Sequence, residues 1–136
     1  MITEISDVTR VRRDTPFVTR LRPVRSVVPA VEGAGVVDAT SVFAAFARKV
    51  GPDAGRLGEE SPREEAPGQW TLAASGAAVT YTSVQIVEAS FTERCGDVAA
   101  SGVVTSWDRS RSGIMQCDLK PQGTEDVVKE AVALAC

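Results

Sequence analysis

The chain has 136 residues, 43% of them apolar, 24% charged and only 5% aromatic, with a formal net charge of −3 and no histidine. A chain of this length buries roughly two thirds of its unfolded surface, and the composition is near the globular average, so wholesale disorder and reliance on a structural metal are not expected. Without histidine neither a Ser-His-Asp nor a Cys-His catalytic arrangement can be built, and Cys95, Cys117 and Cys136 lack the C-x-x-C spacing of a zinc site.

The charge is uneven along the chain. Residues 1–30 hold six Arg against three acids (+3), residues 31–70 four bases against seven acids (−3), and residues 71–136 five bases against eight acids (−3). The basic front begins with Met1 to Asp14, polar and without a regular period, which is expected as a mobile or partner-ordered arm. No apolar segment follows Arg12-Arg13, so no secretory or twin-arginine signal is read, and no run of about 18 apolar residues exists to cross a membrane as a helix. The expected compartment is therefore the cytoplasm, or an exported or virion-associated setting if the cysteines are bridged or the sequence is a trimmed one. Arg outnumbers Lys by twelve to three and Asn is absent, a usage that resembles a high-GC bacterium or its phage.

Phe17 to Val28 alternates like a strand with one wetter face, and Pro23 confines it to a sheet edge or an extended arm because proline cannot donate to a ladder. Residues 1–28 are thus a basic arm or edge strand. Pro29 to Gly35 reads as a turn-rich break. Asp38 supplies a helix cap, and Val42, Phe43, Phe46 and Val50 recur at helical spacing until Gly51, giving a helix over 38–51 whose Phe stripe is core. Residues 52–68, with Glu59-Glu60 and Glu64-Glu65, read as a solvated acidic connector.

From Gln69 to Leu119 the chain is rich in Val, Thr, Trp, Tyr and Phe and breaks at Ser75-Gly76, Gly96-Asp97 and Asp108 to Gly113, a rhythm of antiparallel strands and turns. Val87, Ala89 and Phe91 share one face whereas Val84 and Ile86 fall on the other, so a bulge or bend is expected near Thr82 to Gln85. Strand is preferred over a helix capped by Ser83 for 83–95. Asp108 to Gly113 is expected to be a hairpin tip exposing Arg109 and Arg111. A C-terminal helix over 124–136, capped by Thr124, is expected to lay Val128, Val132 and Cys136 on the sheet.

The spacing therefore predicts an α+β domain, an antiparallel sheet of about four to five strands packed by two short helices, with an extended Arg-rich N-terminal arm. The cysteines are either buried thiols or include one disulfide, joining Cys95 or Cys136 to Cys117. Gly33-Ala34-Gly35 is a turn and not a nucleotide loop, the paired glutamates form a solvated surface, and Arg94 alone beside Cys95 is thin support for a reactive thiol. No cofactor is implied. The expected function is a non-catalytic protein interaction or self-assembly module, accessory, inhibitor-like or structural in a virion. Its partner-binding candidates are Arg10, Arg12, Arg13, Arg20, Arg22, Arg25, Arg109 and Arg111. Two alternatives stay open: a nucleic-acid accessory protein using the same arginines, and an enzyme that works without histidine.

Overall fold

A computed structural model of the chain describes residues 1–34, 38–63, 68–119 and 126–136. The expected α+β architecture is present. Its strands are β1 (Ile2–Ser6), β2 (Thr9–Val11), β3 (Phe17–Thr19), β4 (Leu21–Pro23), β5 (Ala30–Ala34), β6 (Gly68–Trp70), β7 (Gly76–Cys95) and β8 (Val98–Gln116); its helices are α1 (Ala39–Val50) and α2 (Asp126–Ala135). Six strands form one sheet in the order β4-β1-β7-β8-β5, with β2 also on β7, while β3 and β6 pair separately; the pairings between β1, β2, β4, β5 and their neighbours are antiparallel. Among the described residues no helix is long and apolar enough to cross a membrane.

The chain divides into two compact units, one of Met1–Ser26, Pro62–Val84 and Ser110–Cys136, the other of Val27–Ser61 and Gln85–Arg109. β7 and β8 run through both. They are joined by the two-residue turn Gly96-Asp97, where Gly96 at φ 62° takes a left-handed conformation that costs glycine little. The turn expected at Asp108 to Gly113 is not one, because β8 continues through it to Gln116. Arg109, at φ 50°, is the one left-handed residue of the stretch, and the strand continues through it. Gly113 serves packing instead of turning, since a β-carbon there would overlap the Tyr81 ring.

In the first unit the N-terminal segment is not a free arm. All five residues of β1 are buried, and the strand is bonded to β4 on one edge and β7 on the other. Its period was hidden by a register shift. Ile2 pairs with Ser83 but Glu4 with Thr82, so Thr3 is the extra residue. The irregularity expected near Thr82 to Gln85 is thus at that place, with its inserted residue in the partner strand.

Ile2, Ile5, Val79 and Ala131 form the apolar core here, with Tyr81, Met115, Val127 and Leu134 packed around it. The opposite face is buried and polar: Thr19 and Thr80 hydroxyls meet at 2.6 Å, and Thr80 N–H donates to Ser6 Oγ at 3.0 Å. Helix α2 turns Val127, Ala131 and Leu134 inward, not the Val128 and Val132 expected from sequence. The helix is apolar on several sides, so propensity leaves the facing stripe open and docking decides it. Glu130 fixes the docking by accepting from Ile2 N–H at 3.0 Å and pairing with Arg25 at 3.1 Å. The expected Thr124 cap lies outside the described residues.

Cys117 and Cys136 form a disulfide, with Cα atoms 5.6 Å apart. A cysteine at the end of a docked helix closes a distance that a simple meander would leave open.

In the second unit the helix expected over 38–51 is α1. Asp38 caps it by accepting from Ser41 N–H at 3.3 Å, and Gly51 N–H closes the other end on Ala47 O at 3.0 Å. Phe43 and Phe46, with ring centroids 5.6 Å apart, join Val42 and Val104 in the core. The break expected at Pro29 to Gly35 is partly strand: Ala30 to Ala34 pair with Thr105 to Ser101. Gly102 makes this possible, because a β-carbon there would overlap the backbone of Glu32 and Gly33.

The connector is not simply solvated. Trp107 lies against Gly55 and donates from Nε1 to Glu59 O at 3.1 Å, Ala54 bridges to Asp108, and buried Ser61 donates from N–H to Val27 O at 2.8 Å. Glu64 and Glu65 lie outside the described residues.

Candidate interaction surface

The predicted arginines are distributed over several strands and loops. Arg10 is in β2 opposite Ala77, Arg22 is in β4 opposite Ile5, and Arg109 and Arg111 are in β8, Arg109 with a left-handed backbone. All are exposed. Arg25 is committed to Glu130 at 3.1 Å, Arg22 to Asp7 at 3.5 Å, Arg13 to Asp14 at 3.2 Å and Arg109 to Asp108 at 3.7 Å. Arg10, Arg12, Arg20 and Arg111 make no ion pair among the described residues. Internal pairing therefore takes up part of the cationic front that composition left available.

A different surface has a defined shape. In the second unit, helix α1 lies over Val31, Val104, Val87 and Phe91. Its flank toward β7 carries Ser41, Ala45 and Lys49, one residue per turn, and two of these are too small to reach the strand. The space left is a groove of about 260 Å³ bounded by that flank and by Ala89 to Glu93, with Phe46, Phe91 and Val104 at its apolar base. Asp38 N–H donates to Glu93 Oε2 at 3.2 Å and ties the helix start to the strand at one end. Lys49 lines the groove and makes no ion pair among the described residues.

The groove borders a strand edge that no other described strand occupies. Val84 exchanges backbone bonds with Met1, N–H to Met1 O at 2.9 Å and Met1 N to Val84 O at 2.9 Å, whereas Ala77 O accepts from Cys117 N–H on the β8 side. Backbone direction alternates along a strand, so the even-numbered residues of β7 aim N–H and C=O away from β8. β2 takes up this edge at 76–78 and β1 at 81–83, with Met1 at Val84. Beyond Val84, no strand among the described residues takes it up. Ile86, Glu88, Ser90, Thr92 and Arg94 thus present donors and acceptors that no described strand pairs, alongside an apolar recess.

No family model matches the chain, and no curated protein or solved structure does either. The functional reading rests on this geometry alone. Glu93 and Lys49 are the charged side chains among the described residues that line the groove. Among the described residues no group of three or more His, Cys, Asp or Glu is placed to hold a metal ion.

β7 and α1 are legible in the sequence, but the groove between them is not. The trace it left is the Ser41, Ala45 spacing beside the Phe stripe, which marks the helix face that packs against nothing large.

Proposed function

We propose that the chain is a non-catalytic protein interaction or assembly module that takes up an extended segment as an added strand along β7 from Gln85 to Cys95. The observation that carries this reading is the conjunction of the open edge with the groove beside it. Main-chain bonds supply affinity in strand addition, and pockets for alternate side chains supply specificity. Here the backbones of Glu88, Ser90, Thr92 and Arg94 offer the bonds, and the recess lined by Ala45, Phe46, Ala89 and Phe91 receives every second side chain of the incoming strand. Edges of this length are usually blunted by proline, a bulge or a cover, because they attract other chains. Between Val84 and Gly96 β7 carries no proline, no described strand covers it, and its charges are Glu88, Glu93 and Arg94.

The arginine front has a secondary place in this reading. Arg10, Arg12, Arg20 and Arg111 are cations for an acidic partner, and their contribution is screened by salt.

The test is a library of extended peptides of about ten residues, panned on the wild-type chain and on Ser90→Pro. Proline at position 90 removes an outward-facing donor and leaves the bonds from β7 to β8 in place. Wild type retains peptides with apolar residues at every second position, and Ser90→Pro loses them by roughly tenfold or more, the loss of about one to two hydrogen bonds. Equal retention by both overturns the reading.

A further inference from the structure

We infer that the strand added at this edge is β7 of a second copy of the chain, paired antiparallel about a two-fold axis at Phe91; this rests on the edge-binding reading above. A two-fold pairing in one continuous sheet places residues opposite one another symmetrically about the axis, and the choice of axis residue sets every cross-strand pair.

With the axis at Phe91, Glu88 of one copy stands opposite Arg94 of the other, and the symmetry gives the pair twice. Both side chains are exposed, and neither makes an ion pair among the described residues. Ser90 stands opposite Thr92, hydroxyl to hydroxyl. Because these are the residues whose backbones face outward, Glu88 with Arg94 and Ser90 with Thr92 are the hydrogen-bonded pairs of the new ladder. On the groove face the two Phe91 rings meet at the axis, and Glu93 of the second copy stands opposite Ala89, in the recess that Lys49 lines.

Other registers lose this match. Moving the axis to Ser90 sets Glu93 against Val87 and Arg94 against Ile86. Moving it to Ala89 sets Arg94 against Val84 and leaves Glu88 against Ser90. The stretch also fits in length: the Phe91 axis pairs Val87 with Cys95, beginning after Val84, where Met1 ends, and stopping before the Gly96 turn.

Charge reversal tests the pairing directly. Light scattering on the full chain in dilution, up to about 100 µM, is expected to give twice 14.4 kDa for wild type. Glu88→Arg and Arg94→Glu, each of which sets like charges opposite one another, weaken the dimer by roughly tenfold or more, and the Glu88→Arg, Arg94→Glu double variant restores it to within a few-fold of wild type. Failure of the double variant to recover overturns the register and with it the proposal. A wild type of 14.4 kDa throughout also overturns it. If that monomer still captures peptides in a manner lost in Ser90→Pro, self-pairing alone is refuted and the edge-binding reading stands. If peptide capture is also indifferent to Ser90→Pro, both readings fall.

Discussion

Thr82 is 3% exposed, faces the polar side of β1 and β7, and has a hydroxyl with no hydrogen-bond partner among the described residues. A buried hydroxyl without a partner costs more than the methyl that replaces it. Thr82→Val is therefore expected to stabilise the chain by about 1 kcal/mol, read as a higher urea midpoint at unchanged slope. A lower midpoint would mean that the hydroxyl is satisfied in solution. Gly55 is the opposite case, since a β-carbon there overlaps the Trp107 indole. Gly55→Ala is expected to cost roughly 1–3 kcal/mol by overpacking, together with a change in Trp107 fluorescence. An unaltered midpoint and spectrum would show that the connector is not held against Trp107. Neither residue could be singled out from sequence, because both effects depend on what lies opposite and not on the residue itself.

At the level of elements, the disulfide closes a loop with a sequence separation of 19 residues. In the chain-entropy account this contributes about 3 kcal/mol. Reduction, or Cys117→Ser, is expected to lower the denaturation midpoint accordingly, and alkylation of unfolded, unreduced protein should label Cys95 alone. Three labels and a midpoint indifferent to reductant would contradict the bridge. How legible each element was follows from whether its determinants are local. Helix α1 was readable because Asp38, the Phe43 and Phe46 stripe and Gly51 all lie within it. So was the hairpin at Gly96-Asp97. The left-handed residue at Arg109 within a continuous strand reads from sequence as a turn, since Asp, Ser and Gly suit both and only the partner strand distinguishes them. β1 was hidden because its register shift breaks the alternation and its second face is polar. The inward stripe of α2 is set by the contacts of Glu130 with Ile2 and Arg25, which sequence separation conceals.

For the molecule as a whole, the asymmetry of charge suggested a gripping leader, and the structure shows how much of that leader is already engaged. Burial of β1 and the pairs of Arg22 with Asp7 and Arg25 with Glu130 hold the leader within its own unit. The proposed surface is instead on β7, whose edge no described strand occupies beside the groove of the second unit. This relocation makes salt dependence a discriminating quantity. Association carried by backbone pairing and the Phe91 contact, with two exposed ion pairs, should weaken only modestly between low and high salt, whereas binding carried by the arginine front would fall steeply.

The claim on which the account turns is that the backbone of β7 beyond Val84 is open on one side and is closed by another strand. Amide hydrogen exchange resolved by residue tests it most directly. In dilute protein, Val87, Ala89 and Phe91, whose amides face β8, should exchange slowly while Glu88, Ser90, Thr92 and Arg94 exchange fast; at high concentration all should be slow. Even-numbered amides that are protected at every dilution would show the edge already covered within the chain, and even-numbered amides that stay fast at every concentration would show that no second strand ever joins it.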